Sequence, residues 1–451
     1  MRKNMRYLKI GGGFLAVLMG LGAASALLEK RATVEAAGVQ APRFEVDVMW
    51  PKPLPNHWVM GNVIGVSVDD KDHIWIVHRQ GSLEAMEDYA VANPPGPKRR
   101  AGRIEAECCA PAPPILEFDE EGNLLRSWGG PDDAKKGGYE WPNSNHGITV
   151  DYKGNVWIGG NGRNTATPGV EEGGAAPAQA KQAEKGKQGE KGKGGGRGPA
   201  FNPAAFHDSY VMKFSQDGKL LMQIGKPSSD HGSNDTENLG LPAKTFVDPK
   251  TNELYIADGY GNHRVIVFDA DTGKYKRHWG AYGNKPDDTP LGNYEPDAPL
   301  AQQFRNPVHC AELSRDNLLY VCDRVNDRIQ VFKPDGTFVK EQVIAKNTLG
   351  DGSTWDIAFS KDPQQKYIFL ADGSNEKIYI MQRETLEILT SFGDGGRQPG
   401  QFYAVHSIAT DSKGNIFTTE TYRGQRVQKF LYKGMAPVTK KDQGVVWPKR
   451  G

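Results

Sequence analysis

His146, His309 and His406 stand at one position of a repeated unit, each five residues ahead of the residue that opens its first turn, Asp151, Ser314 and Asp411. The other copies carry Ile64, Ala243 and Trp355 there, ahead of Asp69, Asp248 and Ser360. Histidine therefore falls on alternate copies along the chain. Three neutral imidazoles meeting at a point, with a fourth position open, form the ligand set of a catalytic zinc centre. A lone histidine at a strand start is more often a polar residue capping a ladder. That account would have to hold three times, in alternation, in a chain with 10 histidines. The sequence therefore favours a metal at these three. His57, His73, His78, His207, His231, His263 and His278 fall in loops or off the shared position and receive no metal role.

The unit that carries them is a short strand, a turn rich in Asp, Gly and Asn, a second strand, a polar loop and a third strand. Its copies begin GVSVDDKDHIWIVHR (65–79), HGITVDYKGNVWIGG (146–160) and KTFVDPKTNELYIAD (244–258). They continue as HCAELSRDNLLYVCD (309–323), WDIAFSKDPQQKYIFLAD (355–372) and HSIATDSKGNIFTTE (406–420). Apolar alternation, β-branched and aromatic enrichment and evenly spaced turns predict antiparallel four-stranded blades. Six such units predict a radial array, an all-β six-bladed propeller, because each blade can bury its faces only against its neighbours. The first strand of every blade then lines the central channel, so the three histidines point at its axis with threefold spacing. The Asp, Asn and Arg spacing in CDRVNDRIQVF (322–332) resembles the NHL-repeat class of propeller. Blade six lacks an outer strand after Lys433, and Phe44 to Trp50 is predicted to supply it and close the ring. An open solenoid is disfavoured because nothing caps its terminal repeats.

Composition narrows the class further. Lys plus Arg is 56 against 55 Asp plus Glu, a net charge of +1, which argues against nucleic acid as the partner. Basic residues at Arg2, Lys3, Arg6 and Lys9, the apolar run Ile10 to Leu28 and Ala24-Ser25-Ala26 predict an export signal over 1–28, or an N-terminal anchor if uncleaved. The mature protein would then lack a membrane span and lie in the periplasm or outside the cell. The expected organisation is a linker over 29–43, the propeller over 44–435 and a tail over 436–451. Residues 163–206 are rich in Gly, Ala, Lys and Glu without apolar periodicity and are predicted to be a disordered insertion in blade two. Residues 80–112 are predicted to form a long loop in blade one, which the repeat would place over one mouth of the channel. Cys310 and Cys322 flank a hairpin turn and would face each other across it. The adjacent Cys108 and Cys109 fit a vicinal disulfide, a partner bond or two thiols.

LYIADGYGNHRVIVF (254–268), HGITVD (146–151), IWIVHR (74–79), PVHCAELSRDNLLYVCDRVNDRIQVF (307–332) and AVHSIATDSKGNIF (404–417) resemble successive blades of the peptidyl-α-hydroxyglycine α-amidating lyases. The resemblance runs over about 44–432, apart from the insertion. It implies a catalytic zinc on His146, His309 and His406, a catalytic arginine at Arg79, a catalytic tyrosine at Tyr260 and a second arginine near the active site at Arg324. It also implies a structural calcium on the main-chain carbonyls of Val66 and Ile148. The implied substrate is a peptide ending in α-hydroxyglycine or a similar small molecule, cleaved without water to an amide and glyoxylate. Where the family carries Met-Pro-His-Asp around the last histidine, this chain reads Ala404-Val405-His406-Ser407, without the thioether and the carboxylate. Two other expectations stay open: a non-catalytic propeller that binds a protein or glycan, and a propeller hydrolase or lactonase.

Overall fold

The computed structural model describes residues 38–94, 102–163 and 206–448. The expected export segment and all but the flanks of the 163–206 insertion lie outside these residues. Six four-stranded antiparallel sheets follow one another along the chain. Blade one is Asn62–Val68, Ile74–Arg79, Ile115–Phe118 and Leu124–Trp128, and blade two Asn145–Val150, Val156–Gly160, Tyr210–Phe214 and Leu220–Gly225. Blade three is Lys244–Val247, Glu253–Asp258, Arg264–Asp269 and Tyr275–Trp279, and blade four Val308–Leu313, Leu319–Asp323, Arg328–Phe332 and Phe338–Val343. Blade five is Asp356–Phe359, Tyr367–Asp372, Lys377–Gln382 and Ile388–Phe392. Blade six is Val405–Thr410, Ile416–Glu420, Arg426–Pro437 and, as its outer strand, Gln40–Asp47. The first strand of each blade packs against the first strand of the next, and blade six returns to blade one, so the ring is closed. A seven-residue helix, Pro131–Gly137, joins blades one and two.

The core is divided into slabs between blades. Ile74, Trp75, Ile76 and Val77 are all fully buried because the strand is covered on both faces. Trp75 and Val77 pack toward blade two, Ile74 and Ile76 toward blade six. Period-two alternation thus becomes an unbroken apolar run, the pattern of a strand with no wet face. The NHL spacing also acquires a cause. Arg328 Nε and Asn326 Nδ2 each donate to Asp323 Oδ2 at 2.8 Å. Arg264 Nε and Asn262 Nδ2 do the same to Asp258 Oδ2 at 2.8 and 2.9 Å. These charges are buried, and each acid neutralises the arginine that starts the third strand. Removing one partner from such a pair costs about 3–5 kcal/mol.

Two sequence expectations change at the seam, and the hairpin cysteines pair as predicted. The closing strand is Gln40–Asp47, not 44–50: Asp47 Oδ1 accepts from Met49 N–H at 3.1 Å and turns the chain away. A bulge between Pro42 and Phe44 breaks the alternation that would have shown the strand's start. The segment expected to be a tail is docked: Val438 N–H reaches Val39 O (2.7 Å), Val46 N–H reaches Val446 O (2.8 Å), and Ser391 N–H reaches Lys441 O (2.9 Å). It covers the junction of blades five and six, against which Val438 and Val446 pack. Cys310 and Cys322 are opposite in the ladder and disulfide-bonded, and Cys108 and Cys109 form a vicinal disulfide. The long loop after Arg79 is tied back where Ala110–Pro111 pairs in parallel with Trp58–Val59. Among the described residues no helix is long and apolar enough to cross a membrane.

Candidate metal centre

The inner strands are not equivalent. Their ladders slip between Val63 and Gly65, His146 and Ile148, Val308 and Cys310, and Val405 and Ser407. Blades one, two, four and six therefore carry a β-bulge at or beside the shared position, whereas blades three and five show no slip there. A bulge adds one residue to one strand and re-aims its side chain. In blade two the added residue is Gly147, with φ +65°, and a Cβ there would lie 2.3 Å from Ala243 O. Only glycine fits that approach.

The bulges bring the three histidines together. Their candidate ligand atoms all lie within 4.8 Å of one another, and all three side chains are buried. His146 Nδ1 meets Ala243 O at 2.8 Å, and His309 Nδ1 meets Trp355 O. A carbonyl accepts only, so Nδ1 carries the proton in both rings and Nε2 keeps its lone pair. This is how metal-binding imidazoles are oriented from behind. His406 differs, since its buried Nδ1 has no hydrogen-bond partner among the described residues. Burial first, then Arg79 and Arg324, holds His146 well below 6.5; burial and Arg324 act on His309, burial and the other two imidazoles on His406. The centre is thus neutral at physiological pH, as metal ligation requires.

The three other expected site residues surround it. Tyr260 Oη lies 3.0 Å from Nε2 of both His146 and His309. Arg324 Nη1 donates to the same oxygen at 3.2 Å, and its guanidinium stacks 4.4 Å over the Trp355 ring. Arg79, from the end of blade one's second strand, donates through Nε to Asn145 O (3.2 Å) and through Nη2 to Asn161 Oδ1 (2.8 Å). The Tyr260 phenol is raised from 10 by burial, against the pull of Arg324 and Arg79. It is therefore protonated at neutral pH. Asp323, Arg324's neighbour in the chain, serves Arg328; Arg324 Nη2 faces Asp351 at 3.6 Å, which accepts from Tyr422 Oη at 3.1 Å. Asp351, Tyr422 and Asn161 were not foreseen. Trp355 stood in plain view at the shared position.

Val66 and Ile148 lie on the inner strands of blades one and two, with side chains in the slabs either side of blade one. A second grouping, Asp69, His73 and Glu117, joins the first turn of blade one to its third strand. Its groups are engaged by protein neighbours: His73 Nδ1 bonds Glu117 at 2.8 Å, Asp69 accepts from Trp75 Nε1 at 3.1 Å, and Arg126 Nε lies 3.3 Å from Glu117.

Fold and site together define an NHL-type six-bladed β-propeller with a buried three-histidine centre on its channel. Among known proteins, the chain is 25% identical over 287 residues to the peptidyl-glycine alpha-amidating monooxygenase of Mus musculus, a match covering 62% of this chain and 22% of that protein. It is 27% identical over 172 residues to the NHL repeat-containing protein 3 of Homo sapiens, covering 38% of this chain and 41% of that one. The chain thus spans less than a quarter of the length of the amidating monooxygenase it matches. A streptogramin B lyase structure overlays with a TM-score of 0.45 at 12% identity, covering 87% of this chain and 98% of that one. No protein-family model matches the chain.

Proposed function

We propose that this chain is an exported, zinc-dependent carbon–nitrogen lyase that cleaves the carbinolamide of a peptide ending in α-hydroxyglycine to an amide and glyoxylate. The observation that carries the reading is the convergence of three neutral imidazoles, two of them held by Nδ1 to carbonyls, with a tyrosine hydroxyl 3.0 Å from two of their Nε2 atoms. Nitrogen donors in this number suit zinc, whereas a calcium-dependent hydrolase would need oxygen donors. Bound there, zinc supplies a positive charge that polarises the substrate's hydroxyl and carboxylate oxygens. Arg79 and Arg324 supply the charge that binds the carboxylate and fixes the scissile bond beside Tyr260. Tyr260, protonated at rest, passes its proton to the departing amide nitrogen as it takes the proton of the carbinol hydroxyl. The C–N bond breaks, the C–O bond becomes a carbonyl, and no water is consumed. The two disulfides fit an oxidising compartment, and export through the N-terminal segment belongs to this reading.

The test is glyoxylate release from an α-hydroxyglycine peptide, with zinc content measured on the same samples. Wild type should turn over, and Tyr260→Phe should be slower by about a hundredfold with metal retained. Arg79→Lys should raise KM more than it lowers kcat, because a point charge does not replace the planar fork. No release by metal-replete wild type removes the substrate, and equal rates for Tyr260→Phe remove the proton relay. A protein that keeps its metal yet turns over nothing of this class would leave the binding module as the reading.

A further inference from the structure

Along the channel from the histidines, the two straight blades send charged residues inward from the position after the shared one. Lys244 of blade three places Nζ 2.8 and 2.9 Å from the two oxygens of Asp356 in blade five, and 2.8 Å from Glu312 in blade four. Ser407 of blade six donates to Asp356 Oδ2 at 2.6 Å, and Ile408 N–H donates to the same oxygen at 3.1 Å. One ammonium thus ties three consecutive blades, reaching past a whole blade to do it, and Asp356 extends the tie to a fourth. Two carboxylates and a hydroxyl converging inside a channel are hard oxygen donors, the set that a calcium-class cation takes from a protein. Here a side chain of the chain itself stands among them.

We infer that the ammonium of Lys244 is the channel's built-in structural cation, so that the folded protein takes no calcium there and removing this one side chain opens a divalent-cation site on Glu312 and Asp356. The inference departs from the expected calcium on the carbonyls of Val66 and Ile148. The carboxylate that the amidating lyases carry after their last histidine is Ser407 in this chain, and its hydroxyl is spent on the acid that Lys244 already neutralises. A divalent ion entering this layer would meet a half-buried positive charge and two carboxylates already paired. Burial works against the charge of Lys244, but Asp356 and Glu312 outweigh it and raise the amine above its ordinary 10.5, so it stays charged. Burial raises the Glu312 carboxyl against the pull of Lys244.

Metal analysis and thermal unfolding test this independently of the histidines. Wild type purified without chelator should contain no calcium, and its Tm should be the same in millimolar calcium as in a calcium chelator. Lys244→Ala should bind about one calcium per chain and gain several degrees of Tm from it, with zinc content as in wild type. Stoichiometric calcium in wild type, stripped by chelator with a fall in Tm, would overturn the inference. So would a folded Lys244→Ala that ignores calcium. Should Lys244→Ala not fold, Lys244→Met with Asp356→Asn removes the ammonium and one carboxylate together. That double variant should fold and be indifferent to calcium; a calcium-stabilised one would place the site elsewhere and defeat the proposal.

Discussion

Blades two, four and six and blades three and five use the same position for opposite purposes. In the first set a bulge turns an imidazole into the channel; in the second an unslipped ladder leaves the Ala243 and Trp355 carbonyls to receive the Nδ1 protons of His146 and His309. The straight blades then aim their next residues, Lys244 and Asp356, into the channel. One residue of register decides which side chain faces inward, because strand side chains alternate with period two. Ligand and orienting partner therefore come from neighbouring blades, and the difference between them is one of backbone. Blade one breaks the alternation: it is bulged like the histidine blades but carries Ile64, and the histidine before it in the ring, His406, is the one whose Nδ1 lacks a partner among the described residues.

The strongest way to break this comparison is to remove a ligand. His309→Ala should lower zinc affinity by well over a hundredfold, more than the 10–100-fold typical of an orienting group, while the far-UV β signal persists. Zinc content unchanged in that variant would end the division into ligand and orienting blades. Next in size is acid. His78 stands opposite Val63 beside the blade-one bulge, accepting from Gly61 N–H at 3.2 Å through Nδ1. Burial lowers it from 6.5 to about 4, so the unfolded chain binds its proton first as pH falls. Its penalty is absent above pH 6.5, grows below it and levels off under about pH 4. The full shift amounts to about 3 kcal/mol. His78→Asn should lose less stability than wild type by about that amount over this interval in urea titrations, and parallel losses would show that the bulge is not acid-sensitive.

Smaller effects sharpen the picture. Gly147→Ala puts a Cβ into Ala243 O at a positive φ and should cost about 1–3 kcal/mol of stability. Because the same carbonyl orients His146, zinc affinity should fall as well; a stability loss with unchanged affinity would separate the bulge from the ligand. Smallest is Tyr422→Phe, which removes a hydrogen bond from Asp351, the acid facing Arg324. About 1 kcal/mol is at stake. It should appear as a several-fold rise in KM with kcat nearly constant, and a change confined to Tm would make Asp351 merely structural.

The propeller and the meeting of the three histidines were legible because six copies of one unit could be laid over each other. Position in the copy stood in for position in space. Cys310 and Cys322 were legible for the same reason, since a hairpin sets its own register. What was hidden depends on contacts between copies. The bulges leave no mark in residue type except Gly147, so the inward turn of Lys244 and Asp356 was invisible. Asp351 was missed because it lies in the loop before blade five, far in sequence from Arg324's own turn, where Asp323 was the nearer acid. The start of the closing strand was lost to the Pro42 bulge, and the docking of 438–446 to a partner that is itself nonlocal.

The seam in blade six has a consequence for the order of events. Gln40–Asp47 is made early and its partner Arg426–Pro437 nearly four hundred residues later, so the first segment must wait, unpaired, for almost the whole chain. His406 belongs to the blade that this pairing finishes. A nascent or nicked chain holding five blades would own two of the three imidazoles and an open edge. Any ion that needs all three therefore binds the shut ring alone, and by mass action its occupancy pulls the latch closed. Capture of the ion and locking of the ring are then a single equilibrium, and stripping one should loosen the other.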